Sequence, residues 1–221
     1  MTYVLVPGAG GDAWHWHRVV PLLDDAIAVE LPTGDPDAGL QEYADAITQA
    51  AGDRENVTLV AQSMGAFSAP MAKLDVERII LVCPMIPAPG ETPGEWWTTS
   101  GLPDAGAPPF DPIESFFHDV PDDVTAAAFE QGEPKQEDKP FGDPFALDRW
   151  PDVPTRVIAG LHDRLFPYPF MQRLAKQRLN VEAEPIDSGH MPALSRPEEL
   201  ARTMSWWPPD ARPQSPRSNC A

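Results

Sequence analysis

The most informative segment of the 221-residue chain is Val57-Thr58-Leu59-Val60-Ala61-Gln62-Ser63-Met64-Gly65. Its first five residues are a short, mostly apolar run that predicts a buried strand. A serine with small residues two positions away on either side follows, and a helical pattern begins at once. A nucleophile on a strand-to-helix turn needs such small neighbours, because the backbone is tightly folded there. The pattern predicts either a nucleophilic Ser63 or an ordinary serine at a helix N-terminus.

Short apolar runs and longer helical patterns alternate along the rest of the chain. Such alternation implies right-handed crossovers and a mainly parallel sheet that helices cover on both faces. The fold class is therefore α/β, with about six strands. The predicted strands are Tyr3–Val6, Ile27–Glu30, Val57–Ala61, Arg78–Val82, Arg156–Ala159 and Val181–Ile186. The predicted helices are Trp16–Leu23, Leu40–Gly52, Met64–Leu74, Phe170–Gln177 and Pro197–Trp206.

The alternation breaks in the middle of the chain, between Cys83 and Pro154. A structureless loop of this length is unusual inside a compact domain. We therefore expect an inserted helical cap over residues 84–154, with helices near Asp111–His118 and Asp122–Gln131. Residues 1–83 and 155–207 then form the core. The proline-rich residues 208–221 are expected to be a disordered tail.

The charge of the chain excludes several classes of partner. There are 34 acidic and 16 basic side chains, which give a net charge of −18. Binding to nucleic acid or to an anionic membrane depends on basic side chains, so neither is expected. No targeting segment or membrane-spanning run stands out. The two cysteines, Cys83 and Cys220, do not suggest a disulfide framework, which makes a cytoplasmic location the default.

A base and an orienting acid for Ser63 are expected in loops that follow later strands. Asp163 lies just beyond the strand Arg156–Ala159, and His190 lies just beyond the strand Val181–Ile186. Open α/β sheets place their sites at these carboxyl ends of strands. Two alternatives are weaker: Asp163 as a helix-capping residue, and Asp187 as the acid, since it lies only three residues before His190.

The loop after the first strand, Pro7-Gly8-Ala9-Gly10-Gly11, suits an oxyanion hole. Glycines let the backbone approach a substrate closely, and two backbone N–H groups must point at the developing alkoxide. The N–H of Met64 is expected to supply one of them and this loop the other. A dinucleotide site is not expected, because the third glycine of that motif is missing at Ala13. His15 and His17 lack the further ligands of a metal site, so neither cofactor nor metal is expected.

These segments together resemble the α/β-hydrolase superfamily, in particular small carboxylesterases related to plant methylesterases and hydroxynitrile lyases. The resemblance covers about residues 3–83 and 155–207, with Pro7 where family members usually carry histidine. The lyases carry a threonine at the position of Ala9 and a lysine at the position of Met191. The residues present here therefore favour an esterase. A serine at position 63 also argues against epoxide hydrolases and dehalogenases, whose nucleophile is an aspartate.

The resemblance implies a serine hydrolase that forms an acyl-enzyme. Ser63 attacks the ester, His190 is the base, Asp163 orients it, and the N–H groups of Ala9 and Met64 stabilise the oxyanion. The acidic excess of residues 84–150, 14 acidic against 3 basic side chains, favours a small neutral ester or lactone. The aromatic residues of the insertion either line the pocket or pack the insertion onto the sheet: Trp96, Trp97, Phe110, Phe116, Phe117 and Phe129.

Other functions of this fold stay open at the level of sequence. Some members with such a triad act as small-ligand receptors, and others are cofactor-free oxygenases. Turnover of an ester that depends on Ser63 would distinguish the esterase from both. The acyl and alcohol groups of the substrate and the oligomeric state do not follow from the sequence.

Overall fold

A six-stranded parallel sheet forms the centre of the protein in the computed structural model, which describes residues 1–132 and 135–207. The strand order is β2-β1-β3-β4-β5-β6, and every neighbouring pair is parallel. The α/β class and the number of strands are confirmed. The strands are β1 (Thr2–Val6), β2 (Ala26–Ala28), β3 (Val57–Gln62), β4 (Val76–Val82), β5 (Thr155–Gly160) and β6 (Ala183–Ile186).

Nine helices accompany the sheet in the described part of the chain. Around the core strands they are α1 (Leu40–Ala51), α2 (Gly65–Ser68), α7 (Tyr168–Leu179), α8 (Pro192–Ser195) and α9 (Pro197–Ser205). Between β4 and β5 they are α3 (Pro93–Thr99), α4 (Pro112–Phe116), α5 (Asp122–Glu130) and α6 (Lys139–Gly142). None of the described helices has both the length and the apolar character needed to cross a bilayer.

The two faces of the sheet are packed by two separate apolar clusters. Successive side chains of a strand point to opposite faces, and β3 follows this rule: Leu59 and Ala61 belong to one cluster and Val60 to the other. The larger cluster includes residues of α1, α2, α3 and α7, and the smaller one includes residues of α9. Burial on both faces explains why the central strands are continuously apolar.

Two predicted helices are wrong in the same way. Instead of a helix over Trp16–Leu23, the chain forms two 3₁₀ turns, Ala13–Trp16 and Val20–Leu22. Instead of a helix over Met64–Leu74, α2 ends at Ser68 and a 3₁₀ turn follows over Ala69–Met71. Each predicted helix contains a proline, Pro21 or Pro70, which lacks the N–H and clashes with the preceding turn.

The insertion, residues 84–154, is helical where the sequence predicted helices and also where it did not. α4 and α5 fall within the two predicted segments, whereas α3 and α6 were not predicted. α3 begins with a capping box, in which Thr92 accepts from the N–H of Glu95 and Glu95 accepts from that of Thr92. The division of the chain into a core and a cap stays a prediction, and the predicted tail 208–221 lies outside the described residues.

The strand order creates a crevice at one edge of the sheet. The chain leaves β1 toward β2 on one side and continues from β3 to β4 on the other. Loops that follow adjacent strands diverge at such a switch point, and open α/β sheets bind ligands there. The glycine loop after β1 and Ser63 after β3 both lie at this point.

Candidate active site

Ser63 occupies the sharp turn between β3 and α2. Its φ angle is 49°, in the left-handed region that residues with a side chain rarely adopt. Backbone hydrogen bonds fix this conformation: the N–H of Ser63 donates to the carbonyl of Val82 at 3.1 Å, and its carbonyl accepts from Met85 at 3.0 Å. Holding a residue there costs of order 1–3 kcal/mol. This left-handed conformation differs from that of an ordinary helix N-terminus, and it matches the strained strand-to-helix turn expected from the sequence.

Two glycines allow the turn and the loop after β1 to lie against each other. A β-carbon on Gly65 would lie 2.5 Å from the carbonyl oxygen of Pro7. A β-carbon on Gly8 would lie 2.8 Å from the β-carbon of Ser63. Neither position has room for a side chain, which is why both the serine motif and the loop need glycine here.

A chain of hydrogen bonds joins the three residues that the sequence singled out. His190 Nε2 lies 3.2 Å from Ser63 Oγ, and His190 Nδ1 lies 2.8 Å from Asp163 Oδ2. The side chains of His190 and Asp163 are fully buried. Because Nδ1–H donates a hydrogen bond to the carboxylate, the lone pair of Nε2 is left to accept the serine proton.

Asp163 is itself held in place by two backbone donors. Its Oδ1 accepts from the N–H groups of Leu165 at 2.8 Å and Phe166 at 2.9 Å. These bonds leave Oδ2 for His190. Asp187, the alternative acid, lies elsewhere: its exposed carboxylate bonds to Nε2 of His162 at 2.8 Å. The structure therefore brings Asp163, and not Asp187, to His190.

Ala9 and Met64 follow β1 and β3 at the same edge of the sheet. Ala9 lines the cavity that opens onto Ser63 and His190, and Gly10 beside it has a φ angle of 65°. Among the hydrogen bonds of the described residues, neither the N–H of Ala9 nor that of Met64 donates to a protein acceptor. Donors without a protein acceptor are one requirement of an oxyanion hole.

Cys83, at the end of β4, lies beside the same group of residues. Ligand atoms of Cys83, Asp163 and His190 lie within 4.8 Å of one another, a spacing that a metal ion could bridge. Burial, and secondarily the nearby Asp163, raises the pKa of the Cys83 thiol well above its ordinary value. Asp163 Oδ2 and His190 Nδ1 already bond to each other at 2.8 Å, and the Cys83 thiol donates to the carbonyl of Gly189 at 3.8 Å. Each of the three groups thus has a partner within the protein.

His15 and His17 do not form a pair. The ring of His17 stacks on Trp14, and its Nδ1 lies 2.7 Å from the carbonyl oxygen of Trp14. His15 is buried and lines the cavity. Burial, with smaller effects from His190 and His17, lowers the pKa of His15 to about 4. His15 is therefore neutral at pH 7 and adds no charge to the cavity.

A cavity of about 1040 Å³ opens onto Ser63 and His190. This volume is at the upper end of the range for small-molecule sites. Five of the six aromatic residues named from the sequence line it: Trp97, Phe110, Phe116, Phe117 and Phe129. The sixth, Trp96, is fully buried and donates its indole N–H to the carbonyl of Ile86 at 2.9 Å. Five of the six aromatic residues thus line the cavity, and Trp96 packs inside the protein.

The sequence did not indicate two polar side chains of the insertion that reach the loops of the site. Gln136 accepts from the N–H of Gly10, 126 residues away along the chain, and Asp119 accepts from that of Gly189, 70 residues away. Contacts between such distant residues leave no local pattern. In contrast, Thr92 followed three residues later by Glu95 is a local capping-box pattern, which predicts the start of a helix.

Solved structures share this fold at low sequence identity. An extracellular alpha/beta-hydrolase from a Paenibacillus species, described as structurally and functionally homologous to a tobacco salicylic acid binding protein, has a TM-score of 0.74 and 16% identity. The comparison covers 92% of this chain and 97% of that one. A pyrethroid hydrolase from Sphingobium faniae JZ-2 has a TM-score of 0.69 and 21% identity over 92% and 95% of the two chains.

A methylesterase from Arabidopsis has a TM-score of 0.70 and 20% identity over 92% of this chain and 97% of that one. At these identities the likeness concerns the fold. No curated protein matches the sequence. A family model described as the alpha/beta hydrolase family matches residues 3–203, a range that includes the serine turn and the loops of Ala9, Asp163 and His190. The chain therefore belongs to the alpha/beta hydrolase family.

Proposed function

We propose that the protein is a serine hydrolase that cleaves a neutral carboxylic ester or lactone through an acyl-enzyme. The observation that carries this proposal is the hydrogen-bonded chain from Ser63 through His190 to the buried Asp163, with 3.2 and 2.8 Å between the paired atoms. A serine hydroxyl becomes a good nucleophile only when such a base accepts its proton.

The proposed reaction has two steps. Ser63 Oγ attacks the ester carbonyl while His190 Nε2 accepts its proton, and the N–H groups of Ala9 and Met64 stabilise the oxyanion. His190 then gives the proton to the leaving alcohol. In the second step His190 activates a water molecule, which releases the acid from Ser63. Asp163 stabilises the imidazolium that forms in both steps.

The walls of the cavity support a neutral substrate. Three carboxylates line it, those of Asp12, Glu30 and Asp35, whereas Lys135 is the only basic side chain among its described lining residues apart from the histidines. Of those histidines, His15 is neutral. An anionic substrate would meet repulsion near the mouth. The aromatic lining instead suits a bulky apolar group in either the acid or the alcohol part.

The test is turnover of a chromogenic neutral ester, such as p-nitrophenyl butyrate, by the wild type and two serine variants. Ser63→Ala should lower kcat by roughly four to six orders of magnitude, because the nucleophile is lost. Ser195→Ala is the matched control, since Ser195 Oγ is buried and has no hydrogen-bond partner among the described residues. It should leave kcat within about twofold.

Two results would contradict the proposal. Turnover by Ser63→Ala at the wild-type rate would remove the serine mechanism. Binding of esters without turnover by the wild type would favour a small-ligand receptor on the same fold.

A further inference from the structure

The insertion holds two loops of the proposed active site through side chains. Gln136 Oε1 accepts from the N–H of Gly10 at 2.9 Å, and Gly10 directly follows Ala9. Asp119 Oδ2 accepts from the N–H of Gly189 at 2.7 Å, and Gly189 directly precedes His190. Each bond thus fixes the peptide next to a residue that the proposed reaction uses.

The amide of Gln136 is oriented by two further bonds. Its Nε2 donates to the hydroxyl of Tyr43 at 3.2 Å and to the carbonyl of Glu137 at 2.8 Å. Tyr43 is a buried residue of α1. Since the amide NH₂ has two acceptors, its oxygen is left to face Gly10. The glycine loop is therefore connected through Gln136 to the core helix α1.

The loop that carries His190 is confined on two sides. A β-carbon on Gly189 would lie 2.6 Å from Asp119 Oδ1 and 2.7 Å from His118 Nε2. On the opposite side, a β-carbon on Gly160 of β5 would lie 2.4 Å from the carbonyl oxygen of Gly189. Gly189 thus lies between the insertion and the sheet. The hydrogen bond that its N–H donates to the Asp119 carboxylate is charge-assisted, a class that is stronger than neutral hydrogen bonds.

We infer that Gln136 and Asp119 are positioning residues, through which the insertion keeps the oxyanion loop and the histidine loop in reactive geometry. This inference rests on the proposed function. Neither side chain is among the described residues that line the cavity, so neither is expected to contact substrate. Because a displacement of about 1 Å in such a site can cost about a hundredfold in rate, losing either bond should lower kcat and leave KM unchanged.

The experiment removes the acceptor at both positions and restores it at one. Gln136→Leu and Asp119→Ala remove the acceptor, whereas Asp119→Asn keeps an acceptor oxygen for the same N–H. We expect the first two to lower kcat about ten- to a hundredfold with KM within about twofold. Asp119→Asn should recover kcat to within about threefold of the wild type.

Asp143→Ala is the matched control for a general loosening of the insertion. Asp143 also lies in the insertion, and its carboxylate accepts from a core N–H group, that of Leu40 in α1, at 2.9 Å. It does not reach a loop of the proposed active site. Asp143→Ala should lower the melting temperature but leave kcat within about twofold. Equal losses of kcat in Asp143→Ala, Gln136→Leu and Asp119→Ala would overturn the inference.

Amide hydrogen exchange, measured by NMR on the same proteins, reports the two bonds without any substrate. Exchange of the Gly10 amide should accelerate at least about tenfold in Gln136→Leu, and that of Gly189 in Asp119→Ala, but neither in Asp143→Ala. Unchanged exchange would overturn the inference even if esters are hydrolysed. If the wild type hydrolyses no ester, the proposed function fails, and the exchange rates alone decide whether the two side chains hold these loops.

Discussion

At the scale of single residues, Ser63, Asp163 and His190 come from three loops, and the Asp163 carboxylate accepts from two N–H groups and faces the imidazole of His190. His15 adds a neutral ring to the same cavity. A positive charge on His15 would oppose the imidazolium that forms on His190 in the proposed reaction.

His15 leads to a prediction about stability and pH. Its pKa is about 4 in the folded protein, below the ordinary value of 6.5. The unfolded chain therefore takes up the proton first, and the stabilisation present above pH 6.5 is lost as the pH falls toward 4. Between pH 7.5 and 5.0 this loss should be about 2 kcal/mol of unfolding free energy.

The unfolding free energy, measured by urea denaturation at pH 7.5 and 5.0, checks this pH dependence. His15→Gln should lose about 2 kcal/mol less than the wild type over that range, whereas the exposed-residue control His162→Gln should follow the wild type. The same pH dependence in His15→Gln as in the wild type would contradict the pKa assigned to His15.

At the scale of elements, the sequence predicts structure that depends on local patterns but not contacts between distant residues. The strand β3 and the turn at Ser63 follow from nine consecutive residues, because apolar runs and small neighbours act locally. The predicted helix Met64–Leu74 is wrong because the apolar pattern continues through Pro70, where an α-helix cannot. Gln136 and Asp119 act only after the insertion folds against the core, so no spacing in the sequence could reveal them.

The insertion and α7 are joined by an ion pair whose loss should be costly. Arg178 bonds to both carboxylate oxygens of Glu91, and the two side chains are 14% and 7% exposed. Burial alone would raise the pKa of Glu91, but the hydrogen bonds from Arg178 and Thr99 outweigh it and leave that pKa lowered. The pair therefore stabilises the fold above the ordinary pKa of Glu91 and weakens in acid.

Glu91→Ala should lower the unfolding free energy by about 3 kcal/mol at pH 7, because Arg178 is left without its charge partner. The control is Glu182→Ala, which breaks an exposed pair with Lys176 at 2.9 Å and should cost less than about 1 kcal/mol. Chemical denaturation of both variants measures the difference. Equal costs would show that the Glu91–Arg178 pair does not hold the insertion to α7.

At the scale of the whole molecule, the net charge of −18 leads to a prediction about the charge of the preferred substrate. A neutral methyl ester should have a kcat/KM about tenfold higher than an analogue with a free carboxylate at low ionic strength. At 0.5 M salt the difference should shrink, because screening reduces repulsion between exposed charges. Faster turnover of the anionic ester at low salt would contradict a substrate selection based on charge.

Mass spectrometry of the protein, quenched during turnover of a p-nitrophenyl ester, would detect the proposed acyl-enzyme on Ser63. The wild type should gain the mass of one acyl group, and peptide mapping should place it on Ser63. Ser63→Ala should gain none, and Ser195→Ala should behave as the wild type. Turnover without any acylated protein, or an acyl group on another residue, would contradict this proposal.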